Sequence, residues 1–311
     1  MERPLLKPWY RLSTNGGRSV LRYAGSVLEF EGRAAQRLLP ELLPLLDGTR
    51  TVDEVVAAMG EGVRPAIEHA LSLLRAHELL TEPVPADTAD GARRCAELLA
   101  ATDPAARSGA ELAAGLAAME AYVLGEAPAA EAVGRLLRQS GAGTIEGLDW
   151  DDVPPARGLT VVAPAPAELP RLAEWNRRAL DAGAHWLQVL PFDGRFAAVG
   201  PVFVPGETAC HLCFELRRDS TIAPIREAAG GHRPSAAALD AVLAGLAALV
   251  ALRWLAAGDR DEAGTLIAVE LAPELRCTRH FVYRVPRCPA CSPAARRAAS
   301  SPWDGAHDVA A

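Results

Sequence analysis

The spacing of hydrophobic and polar positions changes several times along the chain, and each change marks a predicted element. Within the first eighty or so residues, LLKPWYRLS and SVLRYAGSVLEFEG indicate three short strands. Leucines at helical spacing then predict a short or irregular helix that contains Pro40 and Pro44. Thr51 and Glu54 form a capping box that begins a second helix, and RPAIEHALSLLRAHELL predicts a third. Strands followed by three helices predict a winged helix over residues 1–82.

The remainder of the chain alternates between strand-like and helical segments. Residues 83–115 are rich in alanine, proline and charge, and they are predicted to form a linker that contains one helix. Beyond them, MEAYVLG, GTIEGLD, GLTVVAPA and HWLQVLPF predict strands, while PAAEAVGRLLRQSG and ELPRLAEWNRRALDAG predict helices. This alternation predicts an α/β domain over residues 116–311 with a mainly parallel, doubly wound sheet.

Composition and charge support two packed domains and disfavour several kinds of partner. Of the 311 residues, 50% are hydrophobic and 23% are charged, so we expect substantial cores and little disorder. The formal net charge of −7 provides no positive field for nucleic acid or an anionic membrane. A winged helix also permits a DNA-binding regulator, but the third helix balances Arg64 and Arg75 with Glu68 and Glu78, which argues against that hypothesis.

The longest apolar run is AAALDAVLAGLAALVALRWLAAG, which Asp240 and Arg253 interrupt. The uncharged stretch between these residues is shorter than the roughly 20 residues that span a bilayer, so it predicts a buried helix and no membrane contact. The N-terminal sequence has no signal peptide, and the protein is predicted to be cytoplasmic. The helix at 236–257 could serve a homodimer, although core burial explains its composition equally well.

Two C-x-x-C pairs are the strongest chemical pattern in the sequence. They comprise Cys210, Cys213, Cys288 and Cys291. Four thiolates fill the tetrahedral shell that zinc prefers, which leaves no position for substrate, so the pairs predict a structural zinc site. The alternative is ordinary buried or redox-active cysteines. His211 is expected to face solvent or a carbonyl group near the metal, and Cys95 and Cys277 stand alone.

The strand-to-helix turn VLGEAPAAEAVGRLL lies where a nucleotide-binding fold carries G-x-G-x-x-G. Only Gly125 stands in its expected place, because Ala127 and Ala130 replace the later glycines and Pro128 removes a backbone N–H group. Since phosphate binding at this turn requires close approach of the backbone, these replacements predict that no ATP is bound.

The N-terminal domain also offers a candidate groove for an extended peptide. The exposed strand VLEFE would pair with the peptide main chain, while apolar positions on the third helix would receive its side chains. The candidate residues are Val27, Leu28, Glu29, Phe30 and Glu31 on the strand, and Arg64, Ile67, Glu68, Leu71, Leu74 and Arg75 on the helix. The alternative is that these leucines fill the domain core.

Two parts of the sequence carry a family resemblance. VLEFEGRAAQRLLPELLPLLDGTRTVDEVVAAM and AIEHALSLLRAHELL resemble the leader-peptide recognition domains (RiPP recognition elements) of ribosomal peptide natural-product pathways. VGPVFVPGETACHLC and YRVPRCPACSP are similar to the ubiquitin-activating-type (ThiF-like) fold of cyclodehydratase partner proteins. Together they resemble a leader-peptide-binding partner of a YcaO-type cyclodehydratase from thiazole/oxazole-modified peptide or thiopeptide pathways.

The resemblance implies that the first domain holds the leader of a precursor peptide while a YcaO-type enzyme performs ATP-dependent cyclisation. Adenylating members of the ThiF-like fold carry Asn and Arg after an acidic residue, whereas this chain has PPARGL. They also carry an aspartate after the central strand, where this chain has VVAPAPAEL. We therefore predict a non-catalytic recognition subunit that presents the precursor for azoline formation. The alternative is an ATP-dependent adenylating enzyme of the ThiF type.

Overall fold

A computed structural model describes most of the chain. The described residues are 3–7, 10–15, 18–23, 26–103, 107–221 and 235–292. The chain divides into two compact units, Met1–Leu116 and Ala117–Ala311. Each unit has its own hydrophobic core.

The first unit contains two small antiparallel sheets. Its strands are β1 (Leu5–Leu6), β2 (Arg11–Asn15), β3 (Arg18–Tyr23), β4 (Ser26–Glu31) and β5 (Leu80–Thr81). β1 pairs with β5, and the other strands form a sheet in the order β2-β3-β4. Side chains alternate along β4, so Leu28 and Phe30 pack against the core while Val27, Glu29 and Glu31 are exposed.

Five α-helices complete the described part of this unit, and a capping box begins one of them. They are α1 (Arg33–Leu42), α2 (Val52–Met59), α3 (Arg64–Ala76), α4 (Asp90–Thr102) and α5 (Gly109–Ala117). The predicted capping box is confirmed, because Thr51 Oγ1 accepts from Glu54 N at 3.2 Å and Glu54 Oε2 accepts from Thr51 N at 2.7 Å. Pro40 lies inside α1 without ending it. The segment predicted as a linker carries α4 and most of α5.

The apolar stripe of α3 belongs to the core of the first unit. Ile67, Leu71 and Leu74 are 0%, 1% and 0% exposed, and they pack in one cluster with Leu39 and Leu42 of α1. These three positions therefore correct the predicted groove, since their side chains fill the core instead of facing a peptide. The three predicted helices of residues 1–82 are present, the described part of this range has five strands where three were predicted, and the assignment as a winged helix stays a prediction.

A seven-stranded mixed sheet organises the second unit. Its strands are β6 (Glu120–Leu124), β7 (Thr144–Leu148), β8 (Leu159–Val162), β9 (Trp186–Leu190), β10 (Phe196–Phe203), β11 (Thr265–Glu270) and β12 (Arg276–Phe281). The order is β12-β11-β10-β9-β8-β6-β7, with β6 to β9 parallel and the remaining pairings antiparallel. The sheet is thus less parallel than predicted, because short connections after β9 and β11 permit only hairpins.

Helices cover both faces of this sheet. They are α6 (Pro128–Gln139), α7 (Leu172–Ala182), α8 (His211–Thr221) and α9 (Ala237–Ala256). α7 contributes Trp175 to a core cluster with Val162 and Trp186, and the alternate buried residues Val161 and Leu187 face the opposite side, where α9 contacts β8 and β9. Among the described helices, α9 alone is long and apolar enough to cross a membrane, and half of its apolar window is buried inside the protein.

Candidate functional site

A cleft lies at the point where the strand order in the parallel part of the sheet reverses. β6 is the central strand of this region, with β7 on one side and β8 on the other. The connection from β6 through α6 leads to β7, and the chain then crosses to β8. Such a switch point opens a crevice at the carboxyl ends of the strands, which is the usual ligand position in open α/β sheets.

The cleft has a volume of about 470 Å³ and lies between α6 and β7. Gly147 on β7 lines the cleft, and the space beside its Cα atom is empty, since a Cβ atom there would have no neighbour within 4 Å. Its charged lining residues are Glu126, Glu131, Glu146 and Arg138. Three carboxylates therefore face a single guanidinium among the described lining residues.

Gly125 brings the loop after β6 against the loop after β8. Its φ is 116°, and a Cβ atom at this position would overlap the backbone carbonyl of Ala163. Only glycine meets both requirements, because L-residues rarely adopt this φ and no space exists for a side chain. Gly125 is therefore a position of close backbone approach between these two loops.

Two other residues of this turn suit the start of α6. Pro128 is the first residue of α6, where the missing N–H removes no intrahelical hydrogen bond. Ala130 is 3% exposed, and it occupies the position where the third glycine of the motif serves close packing of helix on strand. Alanine is nearly as small as glycine, so Ala130 preserves this close packing.

A buried carboxylate joins the loops around the cleft. Glu168 lies in a short 3₁₀ helix, Pro166–Arg171, and is 8% exposed. It accepts hydrogen bonds from Glu126 N at 2.9 Å, Ala165 N at 2.7 Å and Trp150 Nε1 at 2.5 Å. Burial alone would raise the pKa of Glu168, but these hydrogen bonds together hold that pKa below its ordinary value. Glu168 is therefore a carboxylate at physiological pH.

Four cysteine thiols converge in the second unit, as the sequence predicts. Sγ–Sγ distances are 3.8 Å for Cys210–Cys213, 3.8 Å for Cys210–Cys288 and 3.5 Å for Cys213–Cys291. All four sulfur atoms lie within 4.8 Å of one another. Tetrahedral zinc with Zn–S bonds of about 2.3 Å requires sulfur separations of about 3.8 Å, so these residues could hold a metal ion.

The surroundings of the four thiols affect their protonation. Burial raises the pKa of the Cys210 thiol, and it raises the pKa of Cys291 to about 11. Without a cation these groups would stay protonated, so metal binding must release protons. Val285 N donates to Cys213 Sγ at 3.3 Å, which supports a thiolate at that position.

His211 is buried between the two cysteines of its own pair and does not face solvent. Its Nδ1 lies 2.6 Å from Gln188 Oε1, and its backbone N–H donates to Asn176 Oδ1 at 3.0 Å. Burial lowers the pKa of His211 to about 4, so the ring is neutral at physiological pH. The expected carbonyl partner is thus a side-chain amide. Cys95 and Cys277 lie outside the thiol cluster.

Of the remaining residues predicted to bind peptide, Leu28 and Phe30 pack against the core of the first unit, which corrects the prediction at those two positions, while the others are exposed or half-buried. In the described part of the chain, no strand pairs with the outer edge of β4. Arg64 is held by carboxylates, with bonds of 2.9 Å to Glu61 and 2.8 Å to Asp53. Glu68 and Arg75 are exposed on α3. Their role in peptide binding stays a prediction.

Three residues around the cleft escaped the sequence analysis. Glu168, Trp150 and Arg138 carry no motif. Glu168 and Trp150 meet only because the sheet brings distant loops together, and Arg138 lies on α6, where it lines the cleft. The one available signal was a charged residue, Glu168, in the segment that follows a buried strand at the carboxyl edge of the sheet.

Comparison with solved structures identifies the shared fold. No protein-family model matches the chain, and no curated protein matches it. The heterocyclase TruD shows 21% identity and a TM-score of 0.69 over 94% of this chain, which spans only 43% of the TruD chain. E. coli MccB solved with ATP shows 13% identity and a TM-score of 0.65, covering 93% of this chain and 99% of MccB. The Microcin C7 biosynthetic enzyme MccB in complex with N-formylated MccA gives a TM-score of 0.66 at 13% identity, with coverages of 93% and 99%.

These comparisons overturn two predictions. The chain was predicted to be non-catalytic and to bind no ATP, yet its fold is shared with a heterocyclase solved with substrate and cofactor and with a biosynthetic enzyme solved with ATP. Both predictions are wrong, because they treated a departure from the glycine motif as the loss of the cleft. The ThiF-like fold that MccB represents is the architecture of the chain.

Proposed function

We propose that the chain is an ATP-dependent peptide-modifying enzyme that activates a carboxylate by adenylation. The observation that carries the proposal is the cleft at the switch point, where Gly125 draws the loop after β6 against Ala163. In the proposed step a carboxylate oxygen attacks the α-phosphorus of ATP. The bond from that phosphorus to the bridging oxygen breaks, and pyrophosphate leaves.

The charges of the cleft define how this nucleotide would bind. Among the described lining residues, Arg138 is the basic group available to phosphate oxygens. Glu126, Glu131 and Glu146 would repel a bare polyphosphate. We therefore expect ATP to bind as its magnesium complex.

Calorimetric titration of the full chain with ATP, in magnesium and then in EDTA, tests this proposal. We expect saturable binding with magnesium, and a loss of about tenfold in Arg138→Gln, because a charge-assisted hydrogen bond contributes about 1.5–3 kcal/mol. Arg135→Gln is the matched control, since Arg135 is exposed on the same helix and does not line the cleft. Absence of ATP binding together with absence of pyrophosphate exchange would refute the proposal.

A second function is supported by the exposed edge of β4. We propose that the first unit captures a leader segment of a ribosomal precursor peptide as an added strand, and that a YcaO-type cyclodehydratase is a partner in the same pathway. What supports capture is the unpaired outer edge among the described strands, beside Val27, which is 53% exposed. Pairing of two copies through α9 stays a prediction.

Peptide capture can be measured with a fluorescent synthetic leader, taken from a short peptide gene beside the gene for this chain. We expect Val27→Asp to weaken binding about tenfold, because it places a desolvated charge against an apolar anchor. Val153→Asp is the control, since Val153 is 80% exposed and belongs to the second unit. Equal affinities for the two variants would contradict capture along β4.

We further propose that the four cysteines hold zinc as a structural ion. They would saturate its tetrahedral shell, which leaves the ion no coordination position for a reacting group. In this arrangement the metal connects the start of α8 to the segment that follows β12, and the chemistry takes place at the cleft.

A further inference from the structure

We infer that Glu168 is the positioning residue of the cleft, because it joins the loops that follow β6, β7 and β8, and the first of these loops lines the cleft and carries the proposed seat for the nucleotide phosphates. This inference rests on the proposed ATP-dependent function. Glu168 is not among the described residues that line the cleft, so it acts through the loops that it holds.

The three donors to Glu168 come from three different strand ends. Glu126 follows β6, Trp150 follows β7, and Ala165 follows β8. One carboxylate therefore fixes all three loops at the carboxyl edge of the sheet. The close contact of Gly125 with the Ala163 carbonyl also holds the loop after β6 against the loop after β8.

The Trp150 donor is itself held from several sides. The Arg171 guanidinium lies 5.4 Å from the Trp150 ring centroid, and the Trp175 ring meets Trp150 edge-on at 6.4 Å. Arg178 donates to the backbone carbonyl of Trp150 and, at 2.8 Å, to that of Asp152. These contacts fix the direction of the Trp150 indole N–H, so the group to which it points must be a hydrogen-bond acceptor.

Only a carboxylate satisfies this arrangement of donors. One oxygen of Glu168 accepts from the two backbone N–H groups, and the other oxygen accepts from the indole. Glutamine offers one oxygen and one NH₂ group. If its oxygen faces the backbone donors, its NH₂ faces the indole N–H and two donors oppose each other. Glu168→Gln should therefore release the Trp150 loop while it changes little in shape.

The test measures ATP affinity and pyrophosphate exchange of full-length Glu168→Gln, Trp150→Phe and the double variant in magnesium. We expect Glu168→Gln to raise Kd and KM for ATP at least about tenfold with kcat within a fewfold, since one charge-assisted hydrogen bond is replaced by an opposed pair of donors. In the Trp150→Phe background, Glu168→Gln should raise Kd and KM for ATP by a smaller factor, because the opposing indole N–H donor is gone. Glu174→Gln is the control, since that exposed carboxylate on α7 pairs with Arg177 outside the cleft.

The possible results separate this inference from the proposed function. Wild-type affinity or tighter binding in Glu168→Gln, with wild-type protein binding ATP, would overturn the positioning role alone. Equal losses from Glu168→Gln in both backgrounds would also overturn it. Absence of ATP binding by the wild type would overturn the proposed function and this inference with it. If Glu168→Gln fails to fold, Trp150→Phe decides: unchanged ATP affinity in that variant contradicts the inference.

Discussion

Cys288→Ser is expected to release zinc from the second unit and to lower its free energy of unfolding by at least about 4 kcal/mol. Cys288 is fully buried, and its Sγ lies 3.8 Å from that of Cys210. A metal held by these thiols joins segments that are 78 residues apart in sequence. Its loss would remove that connection and leave an unmatched hydroxyl group among buried thiols.

Zinc content per chain and thermal unfolding, measured together with and without a chelator, check this result. Cys277→Ser is the control, because Cys277 is an exposed thiol outside the cluster. We expect that variant to keep one zinc ion and the wild-type melting temperature. A wild-type protein that contains no zinc, or a Cys288→Ser variant that retains both metal and stability, would contradict a structural metal at this position.

Gly125→Ala should abolish measurable ATP binding, with a loss of about 100-fold or more. A Cβ atom at this position overlaps the Ala163 carbonyl, so the loop after β6 must move away from the loop after β8. The backbone would also be strained, because alanine at a φ of 116° costs on the order of 1–3 kcal/mol. Both effects displace the turn on which the proposed phosphate seat depends.

Gly183→Ala separates the steric effect from backbone strain. Gly183 has a φ of 66° at the end of α7, but a Cβ atom there would meet nothing within 4 Å. It should lower the melting temperature slightly and leave the Kd for ATP unchanged, whereas Gly125→Ala should raise the Kd. Calorimetry and thermal unfolding of both variants provide the comparison. Equal Kd values for the two variants would show that the cleft does not depend on close approach at Gly125.

Features that depend on neighbouring residues were predictable from the sequence. The capping box of Thr51 and Glu54 forms as expected, since both hydrogen bonds lie within three residues. The convergence of the four cysteines was also predictable, because two C-x-x-C pairs can be satisfied together by one tetrahedral ion. The strands and helices of the second unit follow the alternation of apolar segments.

Features that depend on which surfaces meet were not predictable in this way. The stripe of Ile67, Leu71 and Leu74 has the same helical period whether it lines a groove or fills a core, and the fold buries it. The ATP prediction failed for a related reason. The missing glycine motif concerns only a few side chains. The opening of a cleft depends instead on the strand order around β6.

Local spacing in the chain determined the helix starts, the strand alternation and the four-thiol cluster, because each requires only residues of the right type at short or chemically complementary separations. Tertiary structure alone decided the candidate site. Glu168 reaches donors that are 3, 18 and 42 residues away along the chain, and no local pattern specifies all three. They meet because parallel strands place their carboxyl ends at one edge of the sheet, where loops from distant parts of the chain become neighbours.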